Sequence, residues 1–180
     1  MELCQDLADL RDKWDFYVAL FSSRETTGLL SATAPGAFIV IEESLRNDLT
    51  MLISRLSDPA ETSDRANHSF LCLAARLADQ QQIDLIHEFI NACQPVRKLR
   101  NQRVSHPELI SSIVPIENPL PGISRDHIEH IIGSAEIILN LISKEYHGSE
   151  LIFKPFYPGG VDRLVFYLRE GKKSGDRRSG

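Results

Sequence analysis

Apolar residues recur at steps of three and four along most of the chain, which is the spacing of one face of an α-helix. Five such stretches predict five main helices. They begin near Leu3, Phe38, Phe70, Ile83 and Ile128. A short apolar segment, Val161–Leu168, predicts a last, C-terminal helix against the others. No segment shows the clear alternation of a half-buried strand. The pattern therefore predicts an all-α domain.

Proline, glycine and small polar residues mark the connections between these stretches. The segment from Phe21 to Gly36 is predicted to be a turn, and residues 107–123, which hold four prolines, a long loop. Pro95 removes one backbone donor and is expected to kink or restart the fourth helix. Ser124 is the expected N-cap of the fifth helix.

Length and composition fit one globular domain with a tail. The chain has 180 residues, of which 42% are hydrophobic and 25% charged. We assign residues 1–170 to a single domain and residues 171–180 to a basic disordered tail. The net charge of −5 argues against a protein that coats nucleic acid over its whole surface, so any nucleic-acid contact is expected to be local.

The first thirty residues are too often interrupted by charges to form a signal peptide or a membrane span. Three cysteines, Cys4, Cys72 and Cys93, are widely separated among apolar residues, unlike a disulfide framework or a zinc site. We therefore expect reduced core thiols, a cytoplasmic protein without membrane contact, and neither metal nor cofactor.

A basic and polar cluster near the end of the fourth helical pattern is the strongest candidate for chemistry. Pro107 disfavours the helical conformation at the residue before it, so the helix should end near Ser105 and free His106 to turn back towards Arg100. The cluster comprises Arg97, Lys98, Arg100, Asn101, Arg103 and His106. Its alternative reading is structural, because cations are favourable at a helix C-terminus.

This residue set suits RNA cleavage without a metal, in which a ribose 2′-OH attacks the adjacent phosphorus. His106 can act as acid or base near neutral pH. Arg100 can stabilise charge on the phosphoryl oxygens, and Asn101 can orient the histidine or bind phosphate. We expect RNA contacts from Arg97, Lys98 and Arg103. One such set is sparse, so two sets joined in a homodimer are expected.

The segment Leu99-Arg100-Asn101-Gln102-Arg103-Val104-Ser105-His106 resembles the signature of the HEPN superfamily, an Arg, a polar residue and a His four to six positions after the Arg. With Ile53-Ser54-Arg55-Leu56-Ser57-Asp58-Pro59-Ala60 and Gly159-Gly160-Val161-Asp162, it is similar to the AbiU-like branch, whose members are associated with bacterial abortive infection. The resemblance extends from about Phe21 to Leu168.

The resemblance implies an up-and-down helical bundle that dimerises through the signature-bearing helices, with metal-independent endoribonuclease as the commonest activity. Arg100, Asn101 and His106 match the signature, whereas Arg103 is a neighbour. Some related toxins place a modifiable Tyr two positions before the His. Val104 stands there in this chain, so that mode of control is not carried over.

Two other groups carry alternative readings. His127 and His130, with Glu129 between them, could approach one metal ion, but a solvated helix start is the simpler interpretation. Arg55 and Asp58, three residues apart, are interpreted as an ion pair beside a helix stop.

An aromatic group near the C-terminus could stack on bases, but packing against the bundle is the simpler interpretation. It consists of Phe153, Phe156 and Tyr157.

The leading functional hypothesis is therefore a homodimeric endoribonuclease of HEPN type acting in phage defence, with a neutralising partner or antitoxin as a further expected partner. The alternative is a non-catalytic dimeric HEPN module that binds RNA, a nucleotide or a protein through the same basic cleft. A third possibility is a purely structural helical dimer.

Overall fold

A computed structural model describes residues 2–62, 65–103, 119–153 and 160–176, and most of these residues are helical. The described helices are α1 (Glu2–Phe21), α2 (Arg24–Thr33), α3 (Pro35–Leu56), α4 (Phe70–Ala74), α5 (Gln80–Arg103), α6 (Arg125–His147) and α7 (Gly160–Asp176). Two strands of two residues each, β1 (Glu61–Thr62) and β2 (Arg65–Ala66), pair antiparallel between α3 and α4. The predicted all-α class is confirmed.

Four long helices form the bundle. α1 packs against α3, α3 against α5, α5 against α6, and α6 returns to α1. Each turns its apolar stripe inward, and side chains such as Leu10, Ile53, Ile86 and Ile131 are fully buried. The shared core is what stabilises these helices, because most of the stability of a helix within a protein comes from packing of its amphipathic face.

The segment predicted as a turn between Phe21 and Gly36 is instead largely the helix α2. Its sequence contains two adjacent threonines and a glycine, which are weak helix formers. Ser23 caps the helix by accepting from the N–H of Thr26, and the Thr27 hydroxyl bonds back to the Ser23 carbonyl. Leu30 is fully buried, so tertiary packing stabilises a helix that local propensity does not favour.

The C-terminal helix is longer than predicted. α7 runs to Asp176, so residues 171–176, assigned from the sequence to a disordered tail, are helical. Lys173 donates to Glu170 at 2.8 Å, and the Ser174 hydroxyl bonds the Glu170 carbonyl. These contacts extend the helix past Gly171, whose cost in a helix is only about 1 kcal/mol. Residues 177–180 lie outside the described part.

The helix α5 continues through Pro95 without a restart. The proline is exposed, and its missing N–H leaves a gap in the ladder of backbone hydrogen bonds.

The predicted N-cap of α6 is confirmed, because the Ser124 hydroxyl accepts from the N–H of His127. Gly148 ends α6 in the left-handed conformation at φ 63°, which glycine adopts without strain. The predicted long loop falls mostly on residues 104–118, outside the described ranges.

All three cysteines are unpaired. Cys93 is fully buried, and burial raises the pKa of its thiol to about 12, while Cys4 and Cys72 are only partly buried. The predicted core position is therefore confirmed for Cys93 and is wrong for the partly buried Cys4 and Cys72. None of the helices described here has the length and apolar character needed to cross a membrane.

Candidate nucleic-acid site

The last turns of α5 meet the C-terminal end of α3, and this contact positions two of the predicted functional arginines. α3 ends at Leu56, with Ser57 as its C-cap, and Asp58 and Pro59 follow. Arg97 and Arg100, three residues apart on α5, are neighbours on the helix surface and both face this end of α3.

The carboxylate of Asp58 is shared by both guanidiniums. Its Oδ1 lies 3.6 Å from Nη2 of Arg97 and 3.4 Å from Nη1 of Arg100. A second nitrogen of Arg97 donates to the carbonyl of Ser57, at the negative end of the α3 dipole. We call Ser57, Asp58, Arg97 and Arg100 the Asp58 cluster. Two cations share one acid in this cluster, so it keeps a net positive charge.

Among the described residues Arg100 has two partners, as Arg97 does, but it is the more exposed of the two guanidiniums. Arg97 is tied to both Ser57 and Asp58, whereas Arg100 contacts Asp58 and, through Nε at 3.4 Å, the side-chain oxygen of Asn101. The Arg100 side chain is 27% exposed. A guanidinium carries five N–H donors in a plane, and the described residues engage two of those of Arg100, which leaves donors for a further acceptor such as a phosphate oxygen.

The other predicted site residues are placed less completely. Asn101 and Lys98 lie on the exposed surface of the last turns of α5. His106 and the side chain of Arg103 lie outside the described residues, so their approach to Arg100 stays a prediction. The structure thus brings together Arg97, Arg100 and Asn101.

The predicted ion pair between Arg55 and Asp58 is wrong. Arg55 instead contacts Asp6 of α1 at 3.0 Å, and burial raises the pKa of Asp6 although Arg55 acts to lower it. Asp58 follows the end of α3 and therefore leaves the helical face that carries Arg55. The predicted helix stop is confirmed, but Asp58 belongs to the candidate site rather than to α3 alone.

A second charged cluster lies between α1 and α6, and we call it the Arg11 cluster. The largely buried guanidinium of Arg11 donates to Glu129 at 2.7 Å and to Glu136 at 2.8 Å, and Asp15 lies 3.7 Å away. The indole N–H of Trp14 also donates to Glu129. These residues, Glu136 apart, line a cleft of about 390 Å³ with Arg125 and Asp126.

Two carboxyl groups of the Arg11 cluster, those of Glu129 and Asp15, have pKa values that are shifted in opposite directions. Burial opposes ionisation of Glu129, but hydrogen bonds from Arg11 and Trp14 outweigh it and lower the pKa of this carboxyl group. Burial raises the pKa of Asp15 despite the nearby Arg11. Glu129 is therefore stabilised in its charged form, as expected for a carboxylate that accepts from several donors.

The histidines at the start of α6 are not arranged as a metal site. His127 Nε2 lies 2.8 Å from the carbonyl oxygen of Ala92 in α5, Glu129 belongs to the Arg11 cluster, and His130 is exposed. Among the described residues, no group of three or more His, Cys, Asp or Glu side chains could hold a metal ion. The interpretation as a solvated helix start fits His130 and the Glu129 side chain, which is 52% exposed, whereas His127 is partly buried and contacts Ala92.

The aromatic patch is only partly described. Phe153 packs against the hydrophobic core, in agreement with a structural role, while Phe156 and Tyr157 lie outside the described residues.

The chain matches the protein family HEPN_AbiU2, described as AbiU2, over residues 1–159. The match includes α1 to α6 and therefore the whole Asp58 cluster, and it stops before α7. No curated protein and no solved structure matches the sequence.

Proposed function

The chain belongs to the AbiU2 family of HEPN domains, and from this premise we propose that it is a metal-independent endoribonuclease. The observation that carries the proposal is the guanidinium of Arg100. It is partly exposed, keeps donors that no described residue engages, and is held in place six residues before His106. We further propose that two protomers form a homodimer and line one cleft with their Arg100 and His106 side chains.

In the proposed reaction, the 2′ oxygen of a ribose attacks the adjacent phosphorus as the bond from phosphorus to the 5′ oxygen breaks. One His106 takes the proton of the 2′-OH, and His106 of the second protomer gives a proton to the leaving 5′ oxygen. Arg100 stabilises the negative charge on the phosphoryl oxygens. The products are a 2′,3′-cyclic phosphate and a 5′-hydroxyl end.

The test is incubation of the purified protein with fluorescent single-stranded RNA in excess chelator. We expect cleavage that is lost in Arg100→Ala and in His106→Ala, and kept in Arg76→Ala, which removes an exposed arginine from the region after α4. RNA methylated at its 2′ oxygens should bind without being cut. If wild-type protein forms no more product than a double Arg100→Ala, His106→Ala variant, the proposal fails.

The shared cleft has its own test. If two protomers are needed for one cleft, the cleavage rate per chain should fall on dilution below the dimer dissociation constant measured by light scattering or ultracentrifugation. A rate per chain that does not change across that concentration range would contradict a composite site.

The same assays identify the alternative function, a non-catalytic HEPN module. The positive excess of the Asp58 cluster favours binding of an anionic ligand whether or not cleavage follows. That module would bind RNA, lose affinity in Arg100→Ala, and form no product.

We place the activity in phage defence by abortive infection. Induced expression should then arrest growth of infected cells, and Arg100→Ala should abolish the arrest. A neutralising partner would be identified as a protein whose co-expression restores growth while wild-type levels of the toxin are kept. Equal growth of cells that express wild-type protein and Arg100→Ala would oppose this placement.

A further inference from the structure

We propose that Asp58 is a positioning residue for Arg100, and that its carboxylate also moderates the attraction of the site for RNA. This inference rests on the proposed function and extends it to a residue outside the Arg–His signature. It starts from one observation: the same Oδ1 atom of Asp58 contacts Nη1 of Arg100 and Nη2 of Arg97.

The backbone fixes the position of this carboxylate. The N–H of Asp58 donates to the carbonyl of Arg55 at 3.2 Å, which anchors the residue to the last turn of α3. Pro59, directly after it, restricts the backbone conformation of Asp58. Asp58 therefore presents its carboxylate from a rigid helix end, which is the kind of support that keeps a functional side chain in one geometry.

The contact leaves most of the Arg100 donors for a ligand. Within the described residues, Asp58 uses one Nη1 N–H and Asn101 uses the Nε N–H, so three of the five guanidinium N–H groups remain. Arg97 also has two partners, Asp58 and the Ser57 carbonyl, and its side chain is less exposed, at 20% against 27% for Arg100. Asp58 thus orients the guanidinium of Arg100 without occupying it.

The same carboxylate opposes RNA binding through its charge. It lies beside the two cations that a phosphate would approach, so it weakens their attraction for a polyanion. The two roles of Asp58 therefore have opposite effects: the positioning of Arg100 promotes cleavage, whereas the negative charge weakens RNA binding. Loss of the Asp58 charge should slow cleavage and strengthen RNA binding, a combination that a residue needed only for folding would not produce.

The experiment measures kcat, the dissociation constant for 2′-methylated RNA and its salt dependence in matched variants. For Asp58→Asn we expect kcat to fall about tenfold, and for Asp58→Ala about 100-fold, since small displacements of a catalytic group cost rates of this size. RNA binding should become about threefold tighter in both variants. Asp58→Glu keeps the carboxylate, so its kcat should stay within about threefold of the wild-type value.

The control is Asp84→Asn, which removes a carboxylate from the exposed surface of α5, the helix that carries Arg100, where it accepts from Gln80. It should leave kcat and RNA affinity unchanged. The inference is overturned if Asp58→Asn and Asp58→Ala keep the wild-type kcat, or if they lower kcat and RNA affinity together.

A measurement on wild-type protein covers the case in which the variants do not fold. Nitrogen-15 NMR of labelled arginines should show slower rotation of the Arg100 guanidinium than of the exposed Arg76 guanidinium. Equal rotation rates would overturn the positioning role. If wild-type protein binds RNA without cleaving it, the proposed function fails, whereas the contact of Asp58 with Arg100 is still decided by NMR and by the affinity of Asp58→Asn.

Discussion

The Asp58 cluster and the Arg11 cluster both place arginine against carboxylate between packed helices, but their charge balance is opposite. In the Asp58 cluster two guanidiniums share one carboxylate at 3.4 to 3.6 Å, and in the Arg11 cluster one guanidinium faces three carboxylates, two of them within 2.8 Å. The second arrangement saturates its cation and fastens α1 to α6. The first leaves cationic donors that none of the described side chains engages, which is what a site for an anion requires.

The largest functional effect is expected from Arg100→Ala, which should reduce the cleavage rate strongly and the stability of the fold only slightly. Loss of this donor should lower the cleavage rate about 100- to 1,000-fold, the range found when one charge-stabilising donor is removed from an active site. The unfolding free energy should change by less than about 1 kcal/mol, because the pair with Asp58 is partly exposed. Chemical denaturation and the chelator-resistant RNA assay give the two values, and a large stability loss would make the cluster structural.

The opposite outcome is expected from Arg11→Leu. This change leaves Glu129 and Glu136 without their main partner, so the free energy of unfolding should fall by about 1–3 kcal/mol while cleavage is unchanged. Urea titration measures the difference. The matched control is Lys13→Met on the same helix, whose exposed pair with Asp48 should contribute less than about 1 kcal/mol. Equal effects of the two substitutions would remove the distinction between a saturated cluster and a surface pair.

The contribution of Arg11 should depend on pH. Because the folded state lowers the pKa of Glu129 below its ordinary value of 4.5, this carboxylate stabilises the fold above that pH, and the stabilisation is lost as pH falls through the lowered pKa. The stability difference between wild type and Arg11→Leu should therefore be largest near neutral pH and shrink below about pH 4.5. Denaturant titrations from pH 7 to pH 3 measure it, and a constant difference would contradict the assigned cause.

The smallest effect is expected from Arg97→Ala. Since Arg97 lies outside the Arg–His signature and its side chain is the less exposed of the two, its loss should weaken RNA binding only about two- to fivefold and reduce the slope of log affinity against log salt by about 1. Fluorescence anisotropy at several salt concentrations gives both values. A loss as large as that of Arg100→Ala would mean that the two arginines contribute equally.

Hydrophobic spacing correctly predicts the helices that bury a continuous apolar face. It misses helical segments that are stabilised mainly by tertiary packing or by polar contacts. The five main helices follow directly from their apolar stripes. α2 was missed because its threonines and glycine have weak intrinsic preference, and contacts with α1, α3 and α7 stabilise it instead. The length of α7 was underestimated for a similar reason, since polar contacts around Glu170 extend the helix beyond its apolar segment.

Part of the candidate site consists of residues that are close together in the sequence, and part of it is a residue that only the fold brings near. Arg97, Arg100 and Asn101 lie within two helical turns, so the sequence alone places them together. Asp58 is about forty residues away along the chain, and only the packing of α3 against α5 brings it to Arg100. From the sequence alone, Arg55 is the expected partner of Asp58, because their three-residue spacing gives no sign that the helix ends between them.

The position of α7 has a consequence for engineering. This helix packs against α1 and α2, follows the last residue of the family match, and lies on different neighbours from α5, which packs against α3, α4 and α6. A reporter or purification tag attached at the C-terminal end of α7 should therefore leave the contacts of the Asp58 cluster in place.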